Sequence, residues 1–200
     1  AAPDALEQAC RRVEGLFISP VYRMDSSARV YQELANSGKP TVLLGHHAPF
    51  CSQFVNVETD DLQAAYSVTQ HLLRNGHRRI AFLTGPPGTP WTLERFEGYR
   101  RALREAGMDV DDKLVFQAGR TIEDGARAAI QMITEKTEAT AVQAINDLVA
   151  IGCAEVLIKQ GLSIPSDLSV AGFGNILVSE YFRVPLTTIS QPKYRLGVAA

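Results

Sequence analysis

The hydrophobic positions of this chain alternate between short unbroken runs and runs spaced three and four residues apart. Ile80, Ala81, Phe82 and Leu83 form an unbroken apolar run, as in a strand covered on both faces. Ahead of it, Leu72 and Leu73 close an apolar helical face, and Gly76 stands where a helix end needs positive φ. Behind it, Phe96, Tyr99, Leu103 and Ala106 recur at helical spacing up to Gly107. Residues 69–107 are therefore predicted to run helix, strand, loop, helix, with the loop 84–91 leaving the carboxyl end of the strand.

The same alternation extends to both ends. Helices are predicted over 3–13, 26–37, 60–75, 122–135 and 147–160 and from 193 onward. Strands are predicted over 15–20, 41–44, 54–57, 114–118, 140–145 and 168–172, with an extended stretch at 186–189. Strand following helix throughout predicts an α/β protein with doubly wound parallel sheets. Residues 1–59 supply few strands for a sheet covered on both faces. That lobe is expected to be incomplete, with further β-α units upstream closing an otherwise open apolar edge.

Composition narrows the function. The 200 residues are 46% hydrophobic, enough for one or two domains with a sizeable core. Twenty basic against 22 acidic residues argue against a DNA-coating surface on this stretch. Cys10, Cys51 and Cys153 are odd in number and lack pairing motifs, which suggests reduced thiols and a cytoplasmic location. No apolar run approaches the roughly 20 residues of a membrane span, and the start at Ala1 does not read as a signal peptide.

Each parallel strand delivers its C-terminal loop to one crevice, so those loops hold the candidate ligand residues. They carry Ser19, Gly45, Thr89, Trp91, Arg120, Asn146, Phe173, Gly174 and Asn175, with Arg95 one turn into the following helix. Arginine's planar fork grips a carboxylate, a phosphate or paired hydroxyls. An asparagine amide suits a hydroxyl, and Trp91 and Phe173 offer flat faces for a sugar or base. The alternatives are that Asn146 only caps its helix and that Arg95 pairs with Glu94 or Glu97.

Other chemistries find little support. His46 and His47 with Cys51 do not make a zinc set, because adjacent extended residues point to opposite sides. The 85–90 segment GPPGTP lacks the lysine and hydroxyl of a phosphate loop, and its prolines have no N–H for an anion. Gly172-Phe173-Gly174 has no third glycine at dinucleotide spacing, and no Gly-x-Ser-x-Gly elbow exists. Asp60-Asp61 reads as a helix start rather than a carboxylate pair. Neither an enzyme nor a cofactor or metal site is expected.

Five segments together resemble the lactose-repressor (LacI/GalR) family of transcription regulators: HLLRNGHRRIAFLTGP, RFEGYRRALREAG, TAVQAINDLVAIG, GLSIPSDLSVAGF and PLTTISQP. The resemblance runs in register from about Gly15 to the last residue. It implies a two-lobed, periplasmic-binding-protein-like (type I) fold, with residues 1–59 and 191–200 in one lobe and 60–190 in the other. Lobe crossings are expected near 58–60 and 190–193, with a third upstream. It further implies an effector-sensing core that forms a homodimer and reaches DNA only through a headpiece outside this stretch. A sugar-binding protein of an uptake system is the alternative.

By the same resemblance Arg95 matches the ligand-gripping arginine, Asn146 the hydroxyl-binding asparagine and Ser19 a polar residue of the first lobe, with Thr89 and Trp91 on the ligand-facing loop. Three positions depart from the family pattern: Gly174 (then Asn175) and Gly45 replace common aspartates, and Arg120 replaces a frequent aromatic residue. Losing acids while keeping Arg95 and adding Arg120 is expected to make the crevice more positive and to favour an anionic sugar derivative.

Overall fold

The computed structural model describes residues 12–19, 28–46 and 49–200. The chain divides into two compact units, Ala1–Thr59 with Pro192–Ala200 and Asp60–Gln191.

In the first unit, β1 (Leu16–Ile18), β2 (Thr41–Leu44) and β3 (Val55–Val57) pair in that order, all parallel. Helix α1 (Ala28–Asn36) follows β1, and its only buried side chain is Leu34. Leu43 and Cys51 form a small core against Ile18, Tyr31 and Phe54. Phe17, Val42 and Val55 make a row across the strands, with Phe17 and Val55 67% and 64% exposed. The predicted strand 15–20 shortens to three residues, and the predicted helix 3–13 lies outside the described residues except for Arg12 and Val13, which are not helical.

The second unit alternates helix and strand: α2 (Asp61–Arg74), β4 (Ile80–Thr84), α3 (Pro90–Glu105), β5 (Val115–Gln117), α4 (Ile122–Thr134), β6 (Ala141–Ala144), α5 (Asp147–Lys159), β7 (Ser169–Gly174), α6 (Leu177–Tyr181) and β8 (Thr187–Ser190). Helix α7 (Lys193–Ala199) belongs to the first unit. The sheet order is β5-β4-β6-β7-β8, and every pairing is parallel. Helix α6 escapes a periodicity reading because Leu177, Val178 and Tyr181 are all exposed and no apolar stripe marks it.

Sequence pattern becomes packing most clearly around β4. Ile80 through Leu83 are at most 1% exposed, so both faces of the strand are covered. Phe82 packs on Phe96 and Tyr99 with ring centroids 5.4 and 4.9 Å away, and the Tyr99 hydroxyl donates to the Ile80 carbonyl at 2.8 Å. Beside Phe82 in register lies Gln143, a buried polar residue with both ends satisfied. Its amide donates to the Ala65 carbonyl at 3.1 Å and accepts from the Thr69 hydroxyl at 2.6 Å. Helices α2 and α3 thus cover this face, which leaves the pair α4 and α5 to cover Ala81 and Val142 on the other. At Gly98 the α2–α3 approach is so close that a Cβ would sit 2.2 Å from the Leu62 carbonyl oxygen.

The strand order reverses at β4. The chain steps from β4 outward to β5, then returns past β4 to β6. Loops leaving β4 and β6 therefore part at their carboxyl ends and open the crevice where α/β sheets bind ligands.

Candidate functional site: a braced arginine at the sheet reversal

Helix α3 starts right after the β4 loop, with Pro90 at its first position, where a missing N–H costs nothing. Arg95 lies one turn in and swings across to the end of β6. Its Nε donates to Asp61 Oδ2 at 2.8 Å, one terminal nitrogen lies 2.7 Å from the same oxygen, and the other donates to the Ile145 carbonyl at 2.6 Å. The guanidinium lies 3.6 Å from the Phe173 ring centroid and 5.2 Å from that of Trp91. Arg95 is 8% exposed and Asp61 fully buried. Burial pulls the guanidinium below its usual range, and the Asp61 carboxylate opposes that pull. Each terminal nitrogen carries a second N–H outside these contacts, held in a fixed direction.

Asn146 caps α5: its Oδ1 accepts from the Val149 N–H at 2.8 Å while its Nδ2 donates to the Arg120 carbonyl at 3.2 Å. The next residue, Asp147, is 1% exposed. It accepts from the Thr188 hydroxyl at 2.5 Å and the Ile176 N–H at 2.8 Å, joining the ends of β6 and β8 to the loop after β7. Glycine is required beneath it, since a Cβ on Gly172 would lie 2.3 Å from Asp147 Oδ1. Gly174 and Asn175 both take positive φ, 128° and 47°, and the Asn175 amide reaches Ser190 Oγ at 3.4 Å. Asparagine tolerates this region better than most side chains.

The structure thus brings Trp91, Arg95 and Phe173 into one stack, with Asn146 and Arg120 joined beside it. Phe173 is 4% exposed, and its ring serves as a bed for Arg95 rather than an open face. Thr89 turns its hydroxyl inward, to the Pro86 carbonyl at 3.0 Å and to Thr92 at 2.7 Å. The Arg120 side chain is exposed; its backbone N–H donates to Asp124 at 2.8 Å. Ser19 follows β1 and Gly45 follows β2 in the other unit, where the Gly45 N–H donates to the Val57 carbonyl at 2.8 Å.

Arg95 is held by Asp61, not by Glu94 or Glu97. Asp61 does open α2, as expected, but Asp60 alone makes the cap, accepting from the Gln63 N–H at 2.8 Å. The second acid of the pair was the overlooked signal, because a helix start needs only one. Two buried carboxylates, Asp61 and Asp147, lie on the same helix starts as this cluster and enter the charge balance with Arg95 and Arg120. Among the described residues no group of three or more potential metal ligands is present.

Residues 69–200 match the model of the periplasmic binding protein-like domain. The transcriptional repressor CytR of Escherichia coli K12 is 36% identical over 158 residues, 79% of this chain and 46% of that protein. The transcriptional regulator DegA of Bacillus subtilis is 29% identical over 187 residues, 94% of this chain and 55% of that protein. The chain thus spans about half the length of the curated relatives it matches. Among solved structures, a complex of the transcriptional regulator CelR with cellobiose superposes with a TM-score of 0.87 at 30% identity, covering 97% of this chain and 59% of that one. A LacI-family sugar-binding regulator from Escherichia coli complexed with phosphate gives 0.83 at 26%, covering 98% and 68%.

Proposed function

Because the chain belongs to the periplasmic binding protein-like domain family, we propose that it is the effector-binding core of a LacI-type transcriptional regulator. Relatives of this chain are regulators of that type, and they support a sensing core over an uptake protein. The full protein binds an operator through a separate DNA-binding domain, acts as a homodimer, and changes operator affinity when a metabolite binds the core. Such a metabolite acts by its differential affinity for two states of the core.

The observation that carries this reading is the bracing of Arg95 between Asp61, the Ile145 carbonyl and the Phe173 ring, at the sheet reversal. A pre-oriented guanidinium beside an asparagine amide suits paired hydroxyls, so the effector class is a sugar or sugar derivative. On this reading the ligand set of this unit comprises Trp91, Arg95, Arg120, Asn146 and Asn175, with Thr89, Phe173 and Gly174 behind them.

A thermal-shift screen of this chain against sugars, sugar phosphates and nucleosides tests the reading. A ligand at 100 times its Kd adds about 2.7 kcal/mol of stability. Titration calorimetry of the hit then compares parent, Arg95→Lys and Asn146→Ala. Each variant is expected to bind at least about tenfold more weakly, the loss of one hydrogen bond to a charged or well-oriented group. Unchanged affinity in both variants would remove this face from the binding site.

A further inference from the structure

We propose that Asp61 is a specificity-determining residue: by holding Arg95 in a buried ion pair it makes the crevice select hydroxyl-bearing neutral ligands and reject their phosphorylated or carboxylated counterparts. The inference rests on the effector-site reading above and adds to it which charge the effector carries and which residue decides that.

The argument begins with the geometry. A single Asp61 oxygen receives Nε at 2.8 Å and a terminal nitrogen at 2.7 Å, and the Asp61 side chain is fully buried. The carboxylate is shielded from solvent, so its field is screened less than that of a surface acid on anything that reaches the guanidinium. An incoming phosphate would meet the positive charge of Arg95 together with the negative charge of Asp61 close behind it. Asp147, also buried, adds a second negative centre at the end of the neighbouring strand. What Arg95 offers outward is therefore direction: its remaining N–H groups are aimed donors whose net charge is already matched. Hydroxyls are satisfied by aimed donors, whereas an anion loses more hydration on entering and meets repulsion from the buried carboxylate.

Asp61 is not needed to start its helix, because the neighbouring Asp60 side chain supplies the cap. An asparagine at position 61 has the same shape and still offers an oxygen to the Arg95 Nε. The substitution Asp61→Asn thus keeps the bracing and removes the charge.

The test is competition calorimetry on the parent and Asp61→Asn. The probes are inorganic phosphate and the matched pair of the neutral sugar identified in the screen and its phosphate ester. Circular dichroism confirms that the variant is folded. The parent is expected to bind the neutral sugar at least about tenfold more tightly than the ester, and Asp61→Asn to shift that ratio toward the ester by about tenfold or more while gaining affinity for inorganic phosphate. A purely structural Asp61 would weaken both ligands in proportion and leave the ratio unmoved, which would overturn the proposal. So would a parent that prefers the ester, a result that stands even without a folded variant. If the sugar binds but Arg95→Lys and Asn146→Ala do not weaken it, the site reading fails first and takes this inference with it.

Discussion

Asp147 is the tie that holds three elements of the crevice edge, so its removal is expected to cost far more than a surface carboxylate. In the native fold it accepts from the Thr188 hydroxyl at 2.5 Å and the Ile176 N–H at 2.8 Å, and it is 1% exposed. Hydrogen bonds to charged groups contribute about 1.5–3 kcal/mol each. Asp147→Ala leaves both half-buried donors without their acceptor and should destabilise by about 2–4 kcal/mol. Asp147→Asn keeps one oxygen for the Ile176 N–H, and the Thr188 hydroxyl can rotate to accept from the new amide, so the loss falls to about 1–2 kcal/mol. Thr188→Val removes the hydroxyl's bond to Asp147 together with the long bond it accepts from the Asn175 N–H at 3.3 Å, at about 1–2 kcal/mol. In the double variant Asp147→Ala with Thr188→Val, no orphaned hydroxyl remains. The sum of the single effects should therefore exceed the double effect by about 1–2 kcal/mol. Urea unfolding followed by circular dichroism, with m-values compared, measures all four species. An Asp147→Ala variant within about 1 kcal/mol of the parent, or strictly additive singles, would refute the idea that this carboxylate ties β6, β8 and the β7 loop together.

Three further outcomes are expected. Gly98→Ala gains about 1 kcal/mol of helix propensity but pushes a methyl into the Leu62 carbonyl 2.2 Å away, so urea unfolding should show a net loss of about 1–2 kcal/mol; a more stable variant would contradict the close α2–α3 contact. The Asp124 carboxyl is held below the usual carboxylate range by the Thr121 and Arg120 N–H groups and then by Arg127. A depressed value contributes stability above the unfolded pKa and loses it as pH falls through the folded one. Asp124→Asn should therefore melt about 2–4 °C lower at pH 7, with the gap beginning to narrow only as pH falls below about 4, whereas a constant gap across a pH series would contradict the assignment. Burial pushes the Cys153 thiol up to about 12, so in a variant with Cys10 and Cys51 replaced by alanine, maleimide at pH 8 should label it only after unfolding, and labelling within minutes in native buffer would count against its burial.

Local pattern alone determined most of the framework. The unbroken run Ile80–Leu83, the helical spacing of Phe96, Tyr99 and Leu103, and the capping acids were enough to read a parallel α/β chain, because strand burial and helix amphipathicity each leave a period in the sequence. The order of loops along the chain was likewise enough to nominate Arg95 and Asn146, since every parallel strand sends its loop to the same edge. Asn146 turned out to cap its helix and to reach Arg120 as well, two tasks that one residue letter cannot separate.

Tertiary structure decided what those residues touch. Asp61 and Arg95 stand far apart in the chain and meet because α2 and α3 pack side by side, a contact no local period encodes. That meeting gives the guanidinium a buried partner, where sequence counting had left it spare. Phe173 changed from an open face to a bed for the same reason: its exposure depends on what lies over it, and the chain order of residues does not specify the neighbour above.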